Sequence, residues 1–333
     1  MTSFDTPEVE RKALYILKTL SNSREPLGAR VVSRCLKDYG IELGERAVRY
    51  HLKLMDERGL TKIVGRDGRL ITESGIDELK SALVRDKVGY AFSKIEHLAF
   101  RTNFDLNKRS GTVPVNVSFF PSEKFKPALK AMKTVFAAEL CVSDLVAVAQ
   151  EGESLGDMTV PQGMVGLATV CSIVVNGCLL KAGVPMDSRF GGILQLREHQ
   201  PFRFVELIHY AGSSIDPSEV FIRARMTSVK AAAESGNGKI LANFREIPAL
   251  CRPLAEEVVD KLKAARLNAL LLLGDTSEAV CEIPVEVNRM GMILLGGLNP
   301  IAAAEEAGIE TANFAMSTIM EYKNLNSIWE LVK

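Results

Sequence analysis

The spacing of apolar residues changes character along the chain. Pro7, a residue suited to a first helical turn, opens a predicted helix to about Leu20, with Leu14, Leu17 and Leu20 on one face. Leu27 to Tyr39 predicts a second helix, with Val31, Val32, Cys35 and Leu36 inward and Gly40 ending it. After the short turn Ile41-Glu42-Leu43-Gly44, Glu45 to Arg58 predicts a third, closed by Gly59, with Val48, Leu52 and Met55 as its core stripe. The period then shortens. Leu60–Val64 and Arg69–Thr72 are predicted strands around Gly65-Arg66-Asp67-Gly68, a turn that tolerates positive φ.

Three helices followed by a hairpin make a winged helix-turn-helix, whose third helix enters the major groove of DNA. Arg46, Arg49, Tyr50 and Lys53 lie outward between the apolar positions of that helix, where an Arg fork meets a guanine edge or a phosphate. Arg66 and Arg69 sit on the wing, placed for backbone or minor-groove contact. The competing reading of these charges is a solvated helical surface, with Arg46 paired to Asp38 or Glu42. His51, on the flank of the third helix, is expected to be structural.

Helical spacing continues through Gly75–Arg85 and Val88–Phe104, read as a connector, with Asn107–Gly111 as a linker. Beyond it the chain repeats itself at an offset of 127 residues: Gly111 meets Gly238, Asn116 meets Asn243, and Phe120-Pro121 meets Ile247-Pro248. Helices are predicted at Ser122–Phe136 and Ala249–Ala265, and apolar runs at Leu145–Val148 and Leu270–Leu273. Gly163-Met164-Val165 matches Gly291-Met292-Ile293, and Asn176 and Asn299 are each placed at a turn into a helix. Residues 188–235 connect the copies and include the alternating stretch Phe202–Ile208. The expected fold is α+β: a winged helix-turn-helix at 1–82, a connector at 83–110, and a pseudo-duplicated, two-lobed mixed α/β domain at 111–237 and 238–333. A pseudo-twofold then leaves a cleft or a shared sheet between the lobes.

Composition narrows the function. With 41 basic and 41 acidic residues the chain has no net charge, so nucleic-acid binding must come from local placement. The first 80 residues carry a slight basic excess, too small to decide anything. Six cysteines without paired spacing favour reduced thiols and a cytoplasmic chain, and neither a signal peptide nor a bilayer span is expected. Neither metal nor cofactor is expected. The four scattered histidines form no ligand set, and HExxH, GxSxG, GxGxxG and GxxxxGK are missing. A paired-lobe domain without catalytic groups, joined to a DNA-binding head, reads as a ligand-responsive transcription regulator. An enzyme acting on a small metabolite, and a co-repressor acting through another DNA-binding protein, are the alternatives.

Several stretches resemble one family. Cys171-Ser-Ile-Val-Val-Asn-Gly177 with Ala182-Gly183-Val184-Pro185, Ser188-Arg-Phe-Gly-Gly192, Asn243-Phe-Arg-Glu-Ile-Pro248 and Gly291–Pro300 with Glu306-Ala-Gly-Ile309 are similar to the effector domain of the NrpR nitrogen-regulation repressors. Residues 7–72 resemble that family's DNA-binding head. The resemblance implies a repressor of nitrogen-assimilation genes, dimeric on a palindromic operator and released by 2-oxoglutarate. Such an effector demands a fixed cation and neutral donors. Arg189, beside Ser188 and ahead of two glycines, is the first candidate anchor, and Arg245, near Asn243, is the second. Asn176 and Asn299 are expected to cap helices whose N–H groups face the ligand.

Overall fold

A helix-spaced N-terminal stretch and a strand-rich remainder give two compact units, Met1–Lys87 and Val88–Lys333. The computed structural model describes residues 7–23, 25–37, 39, 41–65, 67–81 and 89–331. Gly40, Arg66 and the 82/83 boundary lie outside them.

In the first unit, α1 (Pro7–Ser21), α2 (Ala29–Lys37) and α3 (Glu45–Glu57) precede a hairpin of β1 (Thr61–Val64) and β2 (Gly68–Ile71), then α4 (Glu73–Ser81). The stripe on α1 is Ala13, Ile16, Leu17 and Leu20, the i, i+3, i+4, i+7 face; Leu14 lies half-buried beside it. On α2 only Ala29, Val32 and Leu36 are buried, and Val31 is exposed, because a helix of nine residues has one narrow face to bury. Val48, Leu52 and Met55 of α3 close the same core. Each such side chain removed from water contributes ~1.5–3 kcal/mol. Leu27 adds a short third rung to the wing through its antiparallel bridge to Arg69. Gly68 is required there: at φ +138° a Cβ would fall 2.3 Å from the Leu27 carbonyl carbon.

The second unit begins with α5 (Tyr90–Arg101) and β3 (Asn103–Asp105), which pairs with β4 (Ser110–Pro121). The stretch read as a linker, Asn107–Gly111, is therefore part of a hairpin, with Asn107–Arg109 in its turn and Ser110 and Gly111 opening β4. The order continues with α6 (Phe125–Ala137), β5 (Leu145–Ala149), the small hairpin β6 (Ser154–Leu155) and β7 (Met158–Thr159), β8 (Met164–Val170), α7 (Ile173–Lys181), β9 (Asp187–Arg197) and β10 (Gln200–His209). Two short helices, α8 (Pro217–Arg223) and α9 (Val229–Ser235), lead to the second copy. That copy runs β11 (Gly238–Pro248), α10 (Arg252–Ala264), β12 (Leu270–Thr276), β13 (Arg289–Leu295), α11 (Asn299–Glu306) and β14 (Ala312–Glu321). The chain then forms β15 (Asn326–Ser327) and α12 (Ile328–Leu331). Equal lengths of α6 and α10, 13 residues each, and of β8 and β13, seven each, carry the repeat into three dimensions.

The halves are not side by side. One sheet has the order β10-β9-β11-β13-β12 and the other β14-β4-β8-β5-β15. Strand β9 of the first half thus pairs with β11 of the second, from Gly238↔Leu196 to Glu246↔Asp187, while β14 of the second pairs with β4 of the first. Each half donates its last repeated strand to the other's sheet. In consequence both apolar cores of this unit draw on both halves. One joins Phe120, Met132 and Leu167 to Phe244, Ile301 and Ala303; the other joins Val115, Val117 and Val174 to Ile247, Val258 and Met292.

Candidate functional site

Helix α3 presents the arrangement expected of it. Val48, Leu52 and Met55 are fully buried, and Arg46, Arg49, Tyr50 and Lys53 are exposed on the other side. Arg49 pairs with Glu45 and Lys53 reaches Glu57 at 3.9 Å, both one turn away along the helix. Such exposed pairs contribute about 0.3–0.5 kcal/mol and yield readily to a phosphate. Arg69 differs: its Nε donates to Asp56 Oδ2 at 2.7 Å in a half-buried pair, and Thr61 Oγ1 donates to the same carboxylate at 2.5 Å. Arg69, expected to contact DNA from the wing, thereby also joins the hairpin to α3. His51 is buried, and burial first, then Lys12, lowers its pKa from the ordinary 6.5.

In the second unit a small cleft of about 20 Å³ is lined by equivalent positions of both halves: Asn116 with Asn243, Cys171 with Gly297, and Ser172 with Leu298. It therefore lies on the pseudo-twofold, one cleft for two copies. Asn116 Oδ1 accepts from the Met316 N–H at 3.0 Å, and Asn243 Oδ1 accepts from the Tyr210 hydroxyl at 2.6 Å. Asn243 Nδ2 donates to Ser172 Oγ at 3.2 Å. The helices α7 and α11 begin here, with Ser172 and Leu298 as N-caps that make no side-chain cap bond. Two positive helix ends thus converge on one cleft. Gly297 makes the approach possible, since a Cβ would lie 2.5 Å from both Asn116 Nδ2 and the Val170 carbonyl oxygen.

Symmetry is broken where Ser118 of β4 corresponds to Arg245 of β11. Arg245 lines the cleft and is 1% exposed. Its Nη1 donates to the Phe244 carbonyl at 3.2 Å, its guanidinium stands 4.9 Å from the Tyr210 ring centroid, and its buried Nε has no partner among the described residues. The neighbouring Glu246 does not neutralise it, being held by Arg289 at 3.0 Å and Arg189 at 3.9 Å. Around this cation, burial pushes Tyr210 up to about 12 and Cys171 up to about 11, so both stay protonated at neutral pH. Burial also raises the Asp216 carboxyl and lowers Lys94 of α5, whose Nζ donates to the Ala315 carbonyl at 2.9 Å. A cleft with a fixed guanidinium, amides, hydroxyls and helix ends, but no ionised nucleophile, is built to hold an anion.

Of the expected ligand contacts, Arg245 and Asn243 line this cleft. Arg189 does not: it is committed to Glu286 at 2.9 Å, Asp187 at 3.3 Å and Glu246 at 3.9 Å. Ser188 is buried and accepts from Asn176 Nδ2 at 3.0 Å. Asn176 is not at a turn but inside α7; because α7 and α11 begin at Ile173 and Asn299, its equivalent is Ala302. Asn299 does not cap α11 with its side chain but brackets Leu241, accepting from its N–H at 2.8 Å and donating to its carbonyl at 3.1 Å. Asn116, Ser172, Tyr210 and Asp216 also line the cleft and were not among the expected contacts. The match of Asn116 to Asn243 was a usable signal; the others had none. Among the described residues no group of His, Cys, Asp or Glu is placed to hold a metal, the cysteines are free, and no helix is long and apolar enough to cross a membrane.

Comparison with known proteins covers both units. The profile of the family described as NrpR regulatory domains NRD1 and 2 matches residues 88–327, and that of the ribonuclease R winged-helix domain matches residues 14–79. The global nitrogen regulator NrpRI of Methanosarcina mazei is 39% identical over 322 residues, 97% of this chain and 99% of that protein. The global nitrogen regulator NrpR of Methanococcus maripaludis is 33% identical over 96% of this chain, which spans 55% of that longer protein. The crystal structure of a nitrogen repressor-like protein from Methanococcus jannaschii superposes with a TM-score of 0.61 at 27% identity, covering 72% of this chain and 98% of that one.

Proposed function

The chain belongs to the NrpR family of global nitrogen regulators, and on that premise we propose that it represses nitrogen-assimilation genes as a homodimer on a palindromic operator, leaving the DNA when a small dicarboxylate of the 2-oxoglutarate kind enters the Arg245 cleft. The family and its named members are regulatory, so the chain is a transcriptional regulator of nitrogen metabolism and not an enzyme. The winged helix supplies the DNA-binding function, with Arg46, Arg49, Tyr50 and Lys53 of α3 in the major groove. A dimer doubles the contact of one small head and matches the symmetry of a palindrome.

The observation that carries the effector reading is Arg245: a buried guanidinium with an unsatisfied Nε, in a cleft where two helix N-termini meet. A carboxylate there gains charge-assisted hydrogen bonds and relieves an uncompensated buried charge. Because the halves share one cleft and only one carries an Arg, binding is one ligand per protomer with a fixed orientation. Calorimetric titration of 2-oxoglutarate, paired with operator gel shifts, tests this. A wild type that fails to bind removes the effector reading; an Arg245→Met variant that binds like wild type removes the cleft. Arg189→Ala is expected to retain binding.

A further inference from the structure

The halves of the duplicated unit differ on their outer surface as well as in the cleft. Leu250 is 97% exposed, Val287 79%, Leu254 39% and Leu272 37%. Leu250 lies in the 3₁₀ turn Ala249–Cys251 and Leu254 in the first turn of α10, while Leu272 is on the edge strand β12 and Val287 in the loop before β13. Two hydrogen bonds join these pieces. Arg252 Nη2 donates to the Gly274 carbonyl at 2.8 Å, and the Ala249 N–H donates to the Asn288 carbonyl at 2.9 Å. At the equivalent positions the first half has Glu123, Pro127, Ala147 and Gln162.

The first half also shows how this edge is handled when it is covered. Strand β5, the counterpart of β12, is closed by β15 through Val146↔Asn326 and Leu145↔Ser327, and Leu145, Val146, Ala147 and Ala149 are buried. Strand β12 carries Leu270-Leu271-Leu272-Leu273, ends its sheet, and leaves those leucines half-buried or exposed. The Leu270–Leu273 part of this edge carries no charge, the acid of the strand, Asp275, being paired with Arg252 beyond it, and such an apolar edge is a template for another strand. The opposite edge of the same sheet, β10, carries exposed Arg203 and Glu206.

We propose that this face is the seam of the homodimer: β12 pairs antiparallel with β12 of a second copy about a twofold axis, with Leu250, Leu254 and Val287 packed beside it. This rests on the dimeric reading above and names its surface. A second copy fits because four successive leucines meet themselves under a twofold without a chemical mismatch. The basic group at the rim is already paired, Arg252 reaching Asp275 at 3.0 Å and Glu256 at 3.1 Å, so covering the face leaves this guanidinium with its partners.

The test is the association constant of the full chain by sedimentation equilibrium. Leu250 and Val287 are so exposed that L250E with V287E leaves folding intact, and Leu272→Lys puts a charge on the edge itself. Each variant is expected to weaken the dimer by about a hundredfold, while Gln162→Glu in the first half leaves it unchanged. A wild-type dimer undisturbed by either variant overturns this seam and leaves the dimeric reading standing. A monomeric wild type overturns both. A monomer whose residues 270–276 are nonetheless protected from hydrogen exchange puts another part of the same chain on β12, and likewise overturns the proposal.

Discussion

The exposed face of α3 and the cleft around Arg245 carry charge in two different ways. On α3 the polar side chains stand in water, are held by one helix, and make exchangeable pairs with acids a turn away. In the cleft the cation is buried, and β4, β11, the starts of α7 and α11, and the turn at Tyr210 all bring groups to it. The first arrangement suits a polyanionic surface that must be engaged and left quickly. The second suits a small ion that must be desolvated and recognised group by group. A cation in water changes affinity mainly through what it touches in the complex; a buried one also changes the protein that holds it.

Substitutions in the two regions should therefore separate binding from stability differently. The largest effect is expected at Arg245→Met. Effector affinity should fall at least a hundredfold in calorimetry, while the melting temperature holds or rises, since a buried charge without an acid partner is replaced by an apolar side chain of similar length. A melting temperature several degrees lower would mean that Arg245 is structural. Next is Arg49→Glu. Loss of one base-reading Arg costs ~1–3 kcal/mol, so operator affinity should drop at least tenfold in a gel shift, with melting and effector binding unaltered. An unchanged shift would move the reading surface off α3.

Arg69→Ala sharpens the contrast between reader and brace. Because Arg69 holds Asp56, the head should lose about 1 kcal/mol, read as a lower denaturant midpoint. If operator affinity fell while stability stayed constant, Arg69 would be a DNA contact instead. The smallest effect concerns pH. The folded pKa of His51 lies below 6.5, so the folded head binds fewer protons than the unfolded one between that lowered value and 6.5. Stability is present above pH 6.5 and is lost as pH falls through the window, by at most ~1.36 kcal/mol per unit. His51→Gln should flatten this slope in denaturant titrations between pH 5 and 7.5; an identical slope would assign the dependence to another group.

Local rules accounted for the head well. The i, i+4, i+7 spacing of Val48, Leu52 and Met55 determines which side of α3 is wet, and so where Arg46, Arg49, Tyr50 and Lys53 stand. Arg69 escaped those rules because its partner, Asp56, belongs to a different element, 13 residues earlier. In the second unit the repeat itself was legible from Gly111/Gly238, Asn116/Asn243 and the paired prolines, since glycine, asparagine and proline are restricted by backbone geometry at each turn. The fate of each polar residue within it was not.

By itself, then, the sequence determined the winged helix, the duplication, the regulatory class through its family motifs, and the candidacy of Arg245 and Asn243. These follow from spacing, turn chemistry and order along the chain. Only the tertiary structure shows that, of these two arginines on neighbouring strands, Arg245 lines the cleft and Arg189 does not. Glu246 on the neighbouring strand and Glu286 join Asp187 around Arg189, while the starts of both helices line the cleft with Arg245. Whether a charge is already neutralised depends on residues distant in the chain, and no local pattern encodes them.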